Sequence, residues 1–378
     1  MLSEKQEIIA KRLIQPDKIG SYSPNDVVFV LKDISDLIKE QGNEEREQAI
    51  QSGIHYSEML PIEYHPSEEY LNIFYEALEA SACKVANAVG VVAGQIMRNR
   101  GRNIVLVSLA RAGTPIGILI KRFIKFKYFL DLKHYSISII RGKGIDENAI
   151  AWITKNHPEL EIQFIDGWTG KGMIKSVLED ACEKFFQQYG VRLNPDLAVL
   201  ADPAHCVSTC GTREDFLIPS ACLNSTISGL VSRTVCREDI IGRNDFHGAK
   251  YYSEWKDIDL SNFFLDKITA CFPEILFADS TIKKTNEPVS RSGARDVAMI
   301  QKDFNISDIN LIKPGVGETT RVLLRRVPWK ILVNSMDNPN LKHILLLAGD
   351  RGVEVEVYDK MTYTCCGLIK SGRKQAAE

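Results

Sequence analysis

No apolar run in this 378-residue chain approaches the roughly 18 residues that cross a bilayer. The opening residues, MLSEKQEIIAKRL, are charged and amphipathic and lack the apolar centre of a secretion signal. Neither a GxxxxGK(S/T) phosphate loop nor a GxGxxG dinucleotide turn occurs, which excludes the two commonest nucleotide-binding signatures. Nine cysteines form no CxxC pair, so a structural zinc site is excluded as well. Cys206 and Cys210 are separated by three residues and Cys365–Cys366 are adjacent. Such spacings suit thiols better than bridges, and a reducing cytoplasm is expected.

What is present reads as an ordinary globular protein. With 44% hydrophobic and 25% charged residues the chain can build a sizeable core, and its length predicts about two domains. The net charge of −2 hides an asymmetry. From Arg291 onward there are 14 basic and 10 acidic residues, leaving 33 against 39 in the preceding part. The polar run DSTIKKTNEPVSRSGARD, Asp279 to Asp296, marks the join as a linker or loop.

The most informative stretch is Ile162 to Ser176, IQFIDGWTGKGMIKS. A buried-strand pattern, IQFI, ends in Asp166 and runs through Thr169-Gly170-Lys171-Gly172 into a helix with Ile174, Val177, Leu178 and Ala181 at helical spacing. Small residues at such a turn let backbone N–H groups approach an anion, and the helix N-terminus adds partial positive charge. Asp166 is suited to sugar hydroxyls or a phosphate-bound Mg²⁺. A phosphorylated sugar ligand is the expectation.

A second strand–turn–helix unit, NIVLVSLARAGTPIGILI, spans Asn103 to Ile120. Its strand is apolar enough to be buried on both faces. Its turn, Arg111 to Pro115, has a Gly for close approach and a Pro suited to a first helical turn. Between the two units lies a β-rich run, Tyr135 to Ile140, followed by the basic, Gly-rich Arg141-Gly142-Lys143-Gly144. Together these resemble the loops of type I phosphoribosyltransferases. The resemblance implies a parallel sheet flanked by helices. It gives Asp166 and Gly167 to the ribose of PRPP, and Thr169, Gly170, Lys171 and Gly172 to its 5′-phosphate. It gives Arg111, Ala112, Gly113 and Thr114 to the diphosphate, and Arg141 to a mobile hood. Asp166, Arg111 and Lys171 would be the catalytic residues, with Mg²⁺ brought by PRPP and touched by the protein, if at all, through Asp166. In two respects the loop departs from that family: its acidic pair is reduced to Asp166 followed by Gly167, and the loop is one residue short.

The last ninety or so residues form a strand–helix pattern of their own. LIKPGVGETTR is followed by a helix-like VLLRRVPWKILV, a polar break and NLKHILLLAGDRGVEVEVY. Gly315 to Arg321 resembles the G-x-N-E-x-T-K signature of Pelota and ribosomal-protein RNA binders, with Gly317 in place of the Asn. The resemblance implies RNA contacts by Gly315, Gly317, Glu318, Thr320, Arg321 and Arg325 in a small α/β/α domain. Read by themselves, Glu318, Thr319 and Thr320 serve equally well as a helix cap.

Other residues are candidates by position. Ser21 to Asp26 reads as a cap before a helix VVFVLKDI, and Ser67 to about Arg100 as a long amphipathic helix. His55 and Tyr56 lie in a polar aromatic loop that could cover an acceptor. Asp202 and His205 follow the apolar strand Leu197 to Ala201, where open α/β sheets place ligand contacts. His205 with Cys206 or Cys210 could form a protease dyad, but neighbouring residues rarely converge as nucleophile and base.

Over its length the chain resembles the StiP-type proteins of bacterial tellurite-resistance and stress operons. The domains expected are an N-terminal extension or hood (1–66), a phosphoribosyltransferase domain (67–285) and a Pelota-like domain (286–378). The activity expected is PRPP-dependent pentosyl transfer to a base or nucleoside-like acceptor. The alternative is a non-catalytic PRPP- or nucleotide-binding regulator of RNA binding. PRPP or a phosphoribosyl nucleotide, structured RNA and a second copy of the chain are the expected partners, with no membrane.

Overall fold

The computed structural model describes residues 14–63, 65–276 and 289–370. The N-terminal amphipathic stretch and most of the Asp279–Asp296 run lie outside the described residues.

A mostly parallel sheet forms the centre of the larger part. Its strands are β1 (Val28–Phe29), β2 (Ile104–Ala110), β3 (His134–Ile140), β4 (Glu161–Trp168), β5 (Leu197–Ala201) and β6 (Thr209–Thr212), in the order β1-β3-β2-β4-β5-β6. All these pairings are parallel, and the two-residue strand Gly144–Ile145 adds an antiparallel pairing to β3. Helices α1 (Glu68–Arg100) and α2 (Gly113–Tyr128) cover one face, and α3 (Glu147–Asn156) and α4 (Met173–Tyr189) the other. This explains the unbroken apolar run of β2. Ile104 and Leu106 enter the core under α1 and α2, while Val105, Val107 and Leu109 enter the core under α3 and α4.

Helix α1 is long and apolar enough to cross a membrane by length and composition, yet 61% of its most apolar window is buried inside the protein. Ser67 caps its start, its side chain accepting the Tyr70 N–H, and Gly101 at φ 71° ends it. A disulfide joins Cys83 of α1 to Cys271, 188 residues away, with Cα atoms 5.3 Å apart. This corrects the expectation of thiols throughout, because two helices bring distant cysteines together without any local spacing signal. The cysteine count therefore ceases to speak for a reducing compartment.

The expected helix VVFVLKDI is instead extended, as β1 and a second short strand, Lys32–Asp33. Its apolar residues go to different layers: Phe29 and Leu31 to one core, Val30 to the other. No single helical face could serve both.

The C-terminal module has strands β7 (Ile312–Pro314), β8 (Pro328–Val333), β9 (Glu354–Val357) and β10 (Cys365–Ile369) in the order β7-β10-β8-β9. Helices α5 (Val316–Arg325) and α6 (Lys342–Asp350) pack on it. The stretch VLLRRVPWKILV is thus only half helical. It ends at Arg325, and from Pro328, which cannot continue a helix, it becomes the central strand β8. The module docks directly on the larger sheet: Val316 and Leu323 share a core with Phe216, Ile218 and Ala221. The buried Asp215 carboxylate accepts the N–H groups of Val316 (2.9 Å) and Thr364 (2.8 Å).

Candidate functional site

Two places gather chemistry-bearing side chains. The first is the cleft at the carboxyl end of β4, a cavity of about 320 Å³. Ala112, Arg141, Asp166, Thr169, Gly170, Lys171 and Gly172 all line it, together with Lys313, Glu318 and Arg321 from the module. The β2–α2 turn and the β4 tip are in contact, and Gly113 is required there, since a Cβ would lie 2.7 Å from the Ile165 carbonyl. Strand β4 runs two residues past Asp166, to Trp168, so the carboxylate stands inside the strand end and not at its tip. Burial pushes Asp166 up to about 7, against a 2.7 Å hydrogen bond that its carboxylate accepts from the Gly167 N–H.

Several expected contacts are otherwise engaged. Arg111 turns from the cleft, donating to Glu63 (3.1 Å) and the Val231 carbonyl (3.0 Å). Thr114 is buried in a 2.7 Å hydrogen bond with Ser136. Thr169 donates to Asp202 at 2.5 Å, and the Gly170 carbonyl accepts the Tyr363 hydroxyl at 2.6 Å. Lys171 donates to the Ile309 carbonyl at 2.5 Å, and its ammonium is pushed down to about 8 by burial and the neighbouring Lys313.

Asp202 is fully buried. Arg213, Thr169 and the N–H groups of Cys206 and Val207 donate to it, so it holds the loop together and presents no free face. His205 adopts a left-handed φ of 52° in that loop. Cys206 is buried and its thiol is raised by desolvation, and Cys210 is buried as well. Neither suits a nucleophile. In the module, Thr320 is buried and hydrogen bonded to the Val316 carbonyl and to His343. Arg321 donates to the Ala221 carbonyl (2.9 Å) and Glu318 (3.0 Å), and lies over the Trp168 ring. A Cβ on Gly317 would meet Ala221 at 3.2 Å, and Gly315 backs onto Asp215. The Arg325 side chain lies outside the described residues.

The second place was missed from the sequence. The antiparallel bridge between Val235 and Gly248 sets half-buried Cys236 opposite His247, and the neighbouring imidazole is the main reason the thiol is held below its ordinary value. For His247, burial opposes the cation, but the Asp146 carboxylate and the neighbouring Cys236 thiol outweigh it and raise the imidazole. Asp146 caps α3 through the Ala149 N–H (3.0 Å), and its other oxygen accepts the His247 N–H at 2.6 Å. The His247 ring is oriented by Ser138, whose hydroxyl lies 2.9 Å from Nδ1 and donates onward to Thr234 at 2.7 Å. Ser138 therefore accepts from Nδ1–H, which leaves Nε2 as the basic nitrogen. Lys143 donates to the Cys236 carbonyl (2.8 Å) and to Glu58 (2.8 Å), placing a second cation beside the thiol. Two of the four expected acceptor residues border this place: the Tyr56 hydroxyl takes the Arg141 N–H, and His55 is hydrogen bonded to Ser57, whose carbonyl takes the Cys236 N–H. No signal short of the fold marks Cys236 and His247, which arrive from separate loops against β3 and α3.

Residues 20–269 match the family model described as tellurite-like stress resistance cysteine protease StiP. The chain belongs to the StiP family. A StiP-family relative from Acinetobacter baylyi (strain ATCC 33305 / BD413 / ADP1), described as cysteine protease StiP, is 33% identical over 339 residues, covering 86% of this chain and 87% of the relative. Residues 291–371 match the Pelota RNA-binding domain. A solved hypothetical protein from Neisseria gonorrhoeae with bound ppGpp overlaps 31% of this chain and 66% of that one at 13% identity and a TM-score of 0.21, which carries no argument.

These matches overturn the expected activity. The StiP family model and the Acinetobacter relative name a cysteine protease, which replaces pentosyl transfer from PRPP, its magnesium chemistry and the non-catalytic PRPP-binding alternative. The geometry agrees on two points: Arg111, assigned to the diphosphate, is committed to Glu63, and a single carboxylate stands where an acidic pair was needed. Among the described residues no group of three His, Cys, Asp or Glu side chains could hold a metal ion.

Proposed function

We propose that the chain is a cysteine peptidase of tellurite-like stress resistance whose nucleophile is Cys236 and whose base is His247, with Asp146 and Ser138 as positioning residues. The observation that carries this is the antiparallel bridge of Val235 to Gly248, which sets Cys236 opposite His247, where the thiol is lowered and the imidazole raised. Paired shifts of that sign favour a thiolate–imidazolium couple. The Cys236 sulfur attacks a peptide carbonyl carbon, the imidazolium gives its proton to the departing amine as the C–N bond breaks, and water then cleaves the thioester. Ser138 keeps the imidazole in one tautomer and orientation, Asp146 holds the backbone that carries it, and the Lys143 ammonium adds positive charge beside the sulfur.

The domain names of the relatives support peptide hydrolysis in the larger part and RNA binding in the C-terminal module. Hydrolysis of a fluorescent casein by the full chain tests the first. Cys236→Ala should abolish it, while Cys206→Ser should leave it within about twofold of wild type. Hydrolysis that survives Cys236→Ala would defeat the assignment.

A further inference from the structure

We infer that RNA bound by this protein lies in the cleft between the larger domain and the C-terminal module, with Arg141 and Lys171 on one wall and Lys313 and Arg321 on the other. This rests on the RNA-binding reading of the module and adds to it that the larger domain supplies half of the phosphate contacts.

Three observations converge. The first is the cavity, about 320 Å³, walled by both parts of the chain. The second is its charge. Lys171 and Lys313 are both depressed, mainly by burial, and each also feels Arg141. Of the carboxylates beside them, Glu318 is engaged by Arg321 at 3.0 Å, Asp166 is raised toward neutrality by burial, and Asp308 offsets part of the charge of both lysines. Desolvated cations crowded in this way are stabilised by an incoming polyanion. The third is the alternation of cations with aromatic faces. The Arg321 guanidinium lies 5.4 Å over Trp168, which lines the cleft, and Arg141 on the opposite wall lies 5.4 Å over Tyr56 at its border. A basic groove interleaved with aromatic rings suits single-stranded RNA.

The docking of the module points the same way. The Val316 N–H, at the start of α5, is already taken by Asp215, and Gly317 faces Ala221. Lys313 on β7 and Arg321 on α5 both line the cleft.

The test is fluorescence anisotropy on the full chain with a labelled 12-nucleotide oligouridylate, across a salt series. Arg141→Ala and Lys313→Ala should each weaken binding about three- to tenfold and reduce the salt slope by about 0.7, one phosphate contact on a single strand. Lys125→Ala, at an exposed cation paired with Asp131, should change neither. Thermal melts of each variant establish that it is folded. Binding that is indifferent to Arg141→Ala but lost in Lys313→Ala would confine RNA to the module and overturn the inference. So would displacement of the RNA by equimolar inorganic tripolyphosphate, which would make the cleft a site for a small phosphate. Absence of binding by the wild-type chain at low salt would instead remove the RNA reading itself.

Discussion

Cys236 and His247 are eleven residues apart in a stretch with no repeat, cap or periodicity to single them out. What makes them a pair is the ring's environment. Asp146 fixes the backbone of His247, and Ser138 takes one ring nitrogen. Since the thiol is held low and the imidazole high, alkylation of Cys236 by iodoacetamide should have its inflection below that of an ordinary thiol. In His247→Ala the inflection should move up toward the ordinary thiol value of about 8.5. A profile unchanged by that substitution would mean the imidazole does not activate the thiol. Asp166 gives a second prediction at this scale. Its folded value, about 7, exceeds the ordinary 3.8, so the native state binds the extra proton. The stability it contributes is complete below about pH 4 and is lost as pH rises through 7. Asp166→Asn should therefore melt progressively higher than wild type between pH 4 and 8, a trend that scanning calorimetry would reveal.

At the scale of elements, strand–turn–helix units were legible wherever the pattern was local. The run IVLVSLA is β2 from Ile104 to Ala110, LAVLA is β5, and the helix expected from Ser67 to about Arg100 is α1. Two apolar stretches misled. In Val27 to Ile34 the side chains divide between layers, and in VLLRRVPWKILV the proline separates a helix from a strand. Periodicity records which residues are apolar but not which layer receives them. The junction of α2 with β2 and β3 is tight: a Cβ on Gly117 would clash with Ser108 and His134, which are hydrogen bonded to each other at 2.7 Å. Gly117→Ala should cost about 1–3 kcal/mol by overpacking, measurable by urea denaturation. A neutral result would mean the helix can shift outward without penalty.

Across the whole molecule, the disulfide and the docked module tie distant parts together. Cys83–Cys271 closes a loop of 188 residues, for which chain entropy suggests a stabilisation of up to about 5 kcal/mol. Reduction, or Cys83→Ser, should lower the melting temperature by the same amount, with no additional loss when the two are combined. Additive losses would show that the reductant acts elsewhere. At the module's interface, burial raises Asp215 to about 6, against the N–H groups of Val316 and Thr364 that donate to it. Asp215→Ala leaves those two donors without partners, at about 1–3 kcal/mol each. Limited proteolysis should then release the module, and an undiminished resistance would place the docking energy in the shared apolar core.

The sequence by itself determined the α/β layering, the turn-bearing strand ends, the long first helix and the family, because each is written in residues close together in the chain. It also brought the glycine-rich turns to one sheet edge, as β2 and β4 are neighbours with Ser108 opposite Ile165. Tertiary structure alone decided what those residues do. It sent Arg111 to Glu63, closed Asp202 inside its loop, bridged Cys83 to Cys271 and set His247 against Cys236. The reason is physical: charge, reactivity and hydrogen-bond capacity depend on which groups are desolvated together. For these residues the decisive neighbours lie from four to nearly two hundred positions away in the chain.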